Sequence, residues 1–474
     1  PDLDQVCFPP NLAPPPFMIR EKGHDFRVCL RGRAGRPVVF AAPKGAALVP
    51  RRAWRELVDR TPGGRIQLEV YVRHSAGPWR RFAPVFLELS TDPIDPYLAY
   101  RILGPAYHLW NELGLFQRHL ETYEERPILR NRAIGHACIN CHAFDRGRPD
   151  HFSFQFRPGS DRSLKPGLVF VGPNGARRID TRTAQTPQPP AYLSWSPGGA
   201  LAVFSMNHIG QVIRSAAVEP RDVFDLASEL AVYDASSGEA RPTRLSPPDG
   251  LATFPAWAPD GRMLYFCRAF PPWKTNQAPL VGLIDKVRYD LVRAPYDPGS
   301  RSWGAVETLV SAERTGLSAS EPRVSPDGRF VLFCLSPWGA FPANQPGSDL
   351  WLLDLRDRTH RRLAVNSPEA DSWHSWSQNG RWIVFSSKRD NGWLARPYFF
   401  HLDGEGRESK PFPLPQASPD HYDRFLKNYN LPEFMTGPVT VSEKNLAKAV
   451  GEGRPGDGTA HGASDSSPSP DGHE

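Results

Sequence analysis

The chain has 474 residues, a net charge of +6 from 57 basic and 51 acidic side chains, and 40% apolar residues. The charges are scattered along the whole length, which excludes the basic stripe of a nucleic-acid binder but leaves a mild positive field that steers an acidic partner. No apolar run approaches the ~18 residues a membrane helix needs, and 51 prolines favour short strands and loops over helices.

The start, PDLDQVCFPPNLAPPPF, has neither the basic nor the apolar region of a signal peptide and reads as a mature or trimmed N-terminus. In residues 1–94, FRVCLRG, RIQLEVYVR and FAPVFLELS alternate apolar and polar side chains, which predicts a small β-sandwich-like domain. Residues 95–160 are read as a helical segment. Asp95 is placed to cap a helix with Pro96 at its first position, and AYHLWNELGLFQRHLETYEERP continues it towards a cysteine pair.

Over 161–416 one pattern recurs in LSWSPGGALAVF, PAWAPDGRMLYF, PRVSPDGRFVLF and HSWSQNGRWIVF. In each, a Pro-Asp-Gly-type or Asn-Gly turn precedes a continuous apolar strand, and a second strand then ends at Asp234, Asp297, Asp354 or Asp403. Units of 52 to 67 residues built as four-stranded meanders predict the blades of a β-propeller. With the degenerate FSFQFRPGSDRSLKPGLVFVGPNG upstream, the expected number is five blades, or six. The repeats resemble the TolB-type propeller repeat, which implies a fold and no activity. Every insertion falls after the equivalent Phe, so the long MNHIGQV and RAFPPWKT segments and the shorter SPWGAFPANQPGSD emerge on one face, a natural place for binding. Residues 417–444 form an extended segment packing back on the domain, and 445–474, rich in Gly, Ser, Pro and Asp, a disordered tail.

CINCH, residues 138–142, has the C-x-x-C-H pattern of c-type haem attachment. Two intervening residues let Cys138 and Cys141 reach both vinyl groups of one porphyrin as thioethers, and His142 is the proximal iron ligand. Zinc is the competing chemistry, with Cys267 and Cys334 as the candidates to complete it, although both sit in apolar strands. A disulfide within the pair is the third alternative. Covalent haem attachment takes place outside the cytoplasm, where Cys7 and Cys29 could also form a disulfide. For the sixth iron position the candidates are Met435 and Met206, then His151 and His208, or no protein ligand at all; Met263 reads as core.

The whole arrangement resembles a group of bacterial exported proteins that join a TolB-type propeller to one C-x-x-C-H site. The resemblance covers residues 6 to about 440 through PPNLAP, STDPIDPYLAYRI, LWNELGLFQRHLE, CINCHAF, SWHSWSQNGRWIVFSSKRD, ARPYFFHLDGEG, KPFPLPQ and YNLPEF. It implies one haem c on Cys138 and Cys141, with His142 as its axial ligand. Such sequences often carry a histidine in an F-H-x-R setting after the pair, and here Gln155 stands in its place.

The functions expected are therefore a periplasmic or cell-surface monohaem cytochrome c, either an electron-transfer protein docking a redox partner or a haem-bearing subunit of a larger envelope complex. A haem enzyme or small-ligand sensor with an open distal site, and a structural propeller of such a complex, are the alternatives. No G-x-S-x-G elbow is present and too few residues follow Gln416 for a peptidase domain, so hydrolysis is not expected; Asp420 and Asp423 read as surface turns.

Overall fold

A computed structural model describes residues 2–75, 77–105, 112–159, 165–179, 181, 190–213, 221–274 and 281–451. The chain is mainly β, and most of it lies in six antiparallel sheets, five of four strands and one of five. One edge strand of each sheet packs towards its counterparts in the neighbouring sheets. In chain order these are β1 (Cys138–Phe144), β2 (Pro190–Trp195), β3 (Leu251–Trp257), β4 (Ser318–Val324), β5 (Asp371–Trp376) and β6 (Asn428–Met435). The first five each begin a sheet whose other strands follow consecutively, whereas β6 pairs with Tyr97–Leu103, more than 300 residues earlier in the chain.

These six strands pack against one another in order, β1 on β2 through to β5 on β6, and β6 also packs on β1. Hydrogen bonds tie several neighbours. Trp195 Nε1 donates to the Ala143 carbonyl at 3.1 Å, Trp376 Nε1 to the Arg323 carbonyl at 3.0 Å, and Phe144 N to Glu433 Oε1 at 3.0 Å. Two tryptophans of the repeated turn motif, Trp195 and Trp376, therefore join sheet to sheet.

All six strands carry a β-bulge at one equivalent place, three residues before the repeat's Trp or its counterpart. The bulge residues are Cys141, Tyr192, Phe254, Glu321, Trp373 and Leu431. Five of them have positive φ, from 25° at Cys141 to 53° at Phe254 and Glu321. A left-handed backbone at a non-glycine residue costs roughly 1–3 kcal/mol and persists where the surroundings hold it. Here the bulge re-aims one side chain per strand, and all six residues line one small cavity of about 20 Å³.

Four expectations are corrected. First, the described part of 95–160 holds no α-helix but the strands Tyr97–Leu103, Gly114–His119, Glu125–Arg130, Cys138–Phe144 and Phe152–Arg157. Short apolar runs are ambiguous between helix and strand. The partner that decides YLAYRIL is β6, which no local reading reveals, and Asp95 accepts a hydrogen bond from Gln378 N at 2.8 Å instead of capping a helix. Second, the N-terminal region is a six-stranded sheet with the helix Arg51–Asp59 and only a two-stranded second sheet, Phe17–Met18 with Ala46–Ala47, rather than a sandwich of two comparable sheets. Trp54, Leu57 and Val58, spaced three and four apart, supply the apolar face.

Third, Cys7 and Cys29 are both free. Two strands separate theirs in the sheet, so at about 4.8 Å per strand their Cα atoms lie at least ~14 Å apart, twice a disulfide's reach. Fourth, residues 445–451 belong to the helix Glu443–Gly451, which buries Leu446, Ala449 and Val450. The rest of the expected tail lies outside the described residues.

Trp382 joins the N-terminal sheet to the one that β5 begins. It is fully buried, donates Nε1 to the Asp92 carbonyl at 2.9 Å, and sits edge-on to His401 and Phe412. Trp382→Ala should lower unfolding free energy by about 3–5 kcal/mol in denaturant titrations. A loss under ~1 kcal/mol would mean that this seam bears no load.

Candidate functional site

The CINCH segment is not a loop on a helix but β1 itself. Cys138, Ile139 and Asn140 pair with Arg157, Phe156 and Gln155; Cys141 is the extra residue, and His142 resumes the ladder opposite Phe154. Cys141-His142-Ala143-Phe144 thus occupies the place that Trp373-His374-Ser375-Trp376 occupies in β5.

Cys138 and Cys141 line a common cavity of about 120 Å³. Its walls combine Leu103, Leu113, Val223 and Phe341 with Arg101, Arg157 and Arg221, and Asn140 accepts a hydrogen bond from Arg101. Both thiols are free, and burial raises them, Cys141 to about 11, so they are neutral at pH 7. The insertions of the sequence repeats reach this cavity. The first extends its sheet into the long hairpin Leu201–Ile213 and Arg221–Asp234, which contributes Gln211 and Phe224, and the third contributes Ala340 and Phe341.

His142 is buried and lines a different cavity, of about 470 Å³. Its Nε2 has no hydrogen-bond partner among the described residues, with Glu433 Oε2 at 3.8 Å. Burial, then the Arg101 and Arg323 charges, hold the imidazole down to about 3, so it is a neutral donor. Burial conversely pushes Glu433 up to about 7. The donor set suits a covalently attached haem: two unbridged thiols in an apolar cavity, guanidinium groups to meet carboxylates, and an unpartnered imidazole nitrogen next in sequence. That imidazole does not line the cavity of about 120 Å³, but it meets Cys141 on the cavity of about 20 Å³.

The other candidates lie apart. Met206 is buried among Leu193, Phe204 and Tyr233, and Met435 among Phe144, Leu129 and Leu446; neither lines the cavity of the thiols or that of His142. His151 packs tilted against Trp195 beside Asp145, and His208 is exposed on the long hairpin. Gln155 is fully buried opposite Asn140, and neither atom of its amide has a partner among the described residues.

Cys267 and Cys334 are fully buried, as their apolar strands suggest. Sequence reasoning missed Asp225, which lines the thiols' cavity and accepts from Asn207 Nδ2 and Tyr289 Oη, each at 2.9 Å. Nothing in DVFDLASE marks it, because its partners come from other segments of the chain.

Burial raises Asp225 from its ordinary 3.8 to about 6. The folded chain therefore holds an extra proton between those values, and stability falls as pH rises through the interval. Asp225→Asn removes that slope. The variant should gain up to about 3 kcal/mol over the parent at pH 7 and nothing near pH 4. A difference independent of pH in parallel denaturant titrations would contradict this.

No protein-family model and no curated protein matches the chain. Among solved structures it is weakly similar to TolB from Acinetobacter baumannii, with 15% identity, 78% of each chain covered and a TM-score of 0.44. It is also similar to an oligogalacturonate lyase from Vibrio parahaemolyticus, with 13% identity, 72% of this chain and 87% of that one covered, and a TM-score of 0.35. A nidogen/laminin complex gives 10% identity, 71% and 99% coverage, and a TM-score of 0.40.

Proposed function

We propose that the chain is an extracytoplasmic bacterial monohaem c-type cytochrome, built on a six-bladed TolB-like β-propeller. In this reading the blades are the six sheets that β1 to β6 edge, and β6 closes the ring by serving as inner strand to Tyr97–Leu103, Gly114–His119 and Glu125–Arg130. The packing of β6 on both β5 and β1, and the single cavity shared by all six bulge residues, support it.

The observation that carries the haem assignment is the pair of free, neutral thiols, Cys138 and Cys141, on one cavity with apolar and guanidinium walls. These two would hold the porphyrin, and His142 would be its axial donor. Haem bound there supplies one-electron redox chemistry. Arg101, Arg157 and Arg221 would orient the group by its carboxylates, and the insertion-derived walls would screen it from water. The extracytoplasmic location follows from the attachment chemistry, and a redox partner or a larger envelope complex is the expected destination of the electron.

A second reading, a haem enzyme or ligand sensor with an open sixth position, is favoured by one finding: Met206 and Met435 are committed to apolar cores. Absorption spectra of the reduced protein with and without carbon monoxide separate the two. A spectrum unmoved by carbon monoxide supports electron transfer; rapid binding replaces that reading with the open site.

A further inference from the structure

A second group of ligand-type side chains lies on β4, β5 and a strand beside them; Glu321 shares the cavity of about 20 Å³ with Cys141 and His142, and His374 shares that of about 470 Å³ with His142. Glu321 is the bulge residue of β4, and His374 directly follows the bulge residue of β5. Cys334 lies in the strand Phe330–Ser336 that pairs with β4. All three are buried, with relative exposures of 4%, 3% and 0% for Glu321, His374 and Cys334.

Their candidate ligand atoms lie within 4.8 Å of one another. Cys334 Sγ is 3.6 Å from Glu321 Oε2 and 3.8 Å from His374 Nδ1. A tetrahedral zinc ion with bonds of ~2.3 Å to sulfur and ~2.0–2.1 Å to nitrogen and oxygen holds sulfur about 3.5–3.6 Å from its other ligands. The observed spacings are within a few tenths of an ångström of those values.

Second contacts pre-set the donors. His374 Nε2 donates to the Leu332 carbonyl at 2.9 Å, which fixes the tautomer and leaves the Nδ1 lone pair facing the thiol. Glu321 Oε2 accepts from Trp373 N at 2.6 Å, while Oε1 is buried with no hydrogen-bond partner among the described residues. An unsatisfied buried carboxylate oxygen costs roughly 1–3 kcal/mol, so something must be gained by keeping it there.

We propose that Glu321, Cys334 and His374 form a zinc site separate from Cys138, Cys141 and His142, with a water as fourth ligand. Thiolate, imidazole and carboxylate are zinc donors, and one thiolate with one carboxylate cancels the ion's charge in a dry interior. Burial pushes Glu321 up to about 8 and Cys334 well above its ordinary range, so both carry protons in the metal-free chain at pH 7. Loading therefore exchanges Zn²⁺ for two protons, one from the thiol and one from the carboxyl, with no redox change. The ion would staple the sheets that β4 and β5 begin.

The test uses the full chain purified without chelator. Elemental analysis should find one zinc per chain. After chelation, Co²⁺ alone should restore one equivalent with the intense visible bands of a tetrahedral site and a thiolate-to-cobalt band. Cys334→Ser should abolish the thiolate band, and Glu321→Gln and His374→Ala should each weaken zinc binding by roughly tenfold or more. A chain with Cys138→Ala and Cys141→Ala should keep the bands, which separates this site from the cysteine pair whether or not haem is attached. Absence of both zinc and a thiolate–cobalt band in the unaltered chain overturns the proposal without recourse to any variant. So does a band that survives Cys334→Ser or disappears with Cys138→Ala and Cys141→Ala.

Discussion

Replacing Cys138 and Cys141 together by alanine should eliminate covalently held haem from protein matured in an exporting bacterial host, to the background of a denaturing gel stained for haem. The two sulfurs line one cavity and share its walls, and each would carry one of the two thioether bonds, so neither can be replaced by a neighbour. The fold should survive, because each change deletes a single heavy atom and Cys138 is only partly buried. His142→Ala should behave differently. It leaves both thioether positions intact, so the chain should retain its haem on the denaturing gel while the absorption spectrum changes with the loss of the axial donor. Haem staining that persists in the double variant would show that the group is held elsewhere.

Ending the chain after Lys427 should remove cooperative folding altogether. That cut deletes β6, the strand beside Tyr97–Leu103, and exposes the Leu98, Tyr100 and Ile102 that it helps to bury. It also takes Tyr429 and Phe434 from one core and Met435 from another. Large side chains lost from a core cost about 2–5 kcal/mol each, so three of them already match the ~5–15 kcal/mol that holds a typical domain together. The expected result is loss of a sigmoidal denaturation curve. A truncated chain that unfolds cooperatively, within about 1 kcal/mol of the full one, would show that β6 is dispensable to the fold.

The turn motifs are legible because Pro-Asp-Gly and Asn-Gly followed by apolar strands encode their hairpins locally. The sheets containing β2 to β5 can be read from them. The sheet completed by β6 cannot, since its strands lie more than 300 residues apart and nothing in YNLPEFM names Tyr97–Leu103 as partner. The upstream sheet is half visible. FSFQFR and GLVFVG read as strands of a degenerate repeat, but CINCHAF reads as part of a haem-bearing helical segment, which hides its alignment with SWHSW in β5.

That alignment is the signal for the site's geometry. It places Cys141 at a bulge and His142 where β5 has His374, so that the two share only the cavity of about 20 Å³ while the larger cavities hold the thiols and the imidazole separately. The motif itself is plain in the sequence, as is the loop-bearing face that reaches its cavity. Asp225, Glu321 and the cluster around Cys334 are not, because each depends on side chains from strands that only the folded chain brings together.

Intact-mass measurement on the chain recovered from an exporting bacterial host, before and after thiol alkylation, tests the central claim most directly. The account predicts one polypeptide mass increased by a single haem, with Cys138 and Cys141 inaccessible to alkylation even when the chain is unfolded. An unmodified mass with both thiols alkylated, or one lower by two hydrogens from a sulfur–sulfur bond, would contradict it.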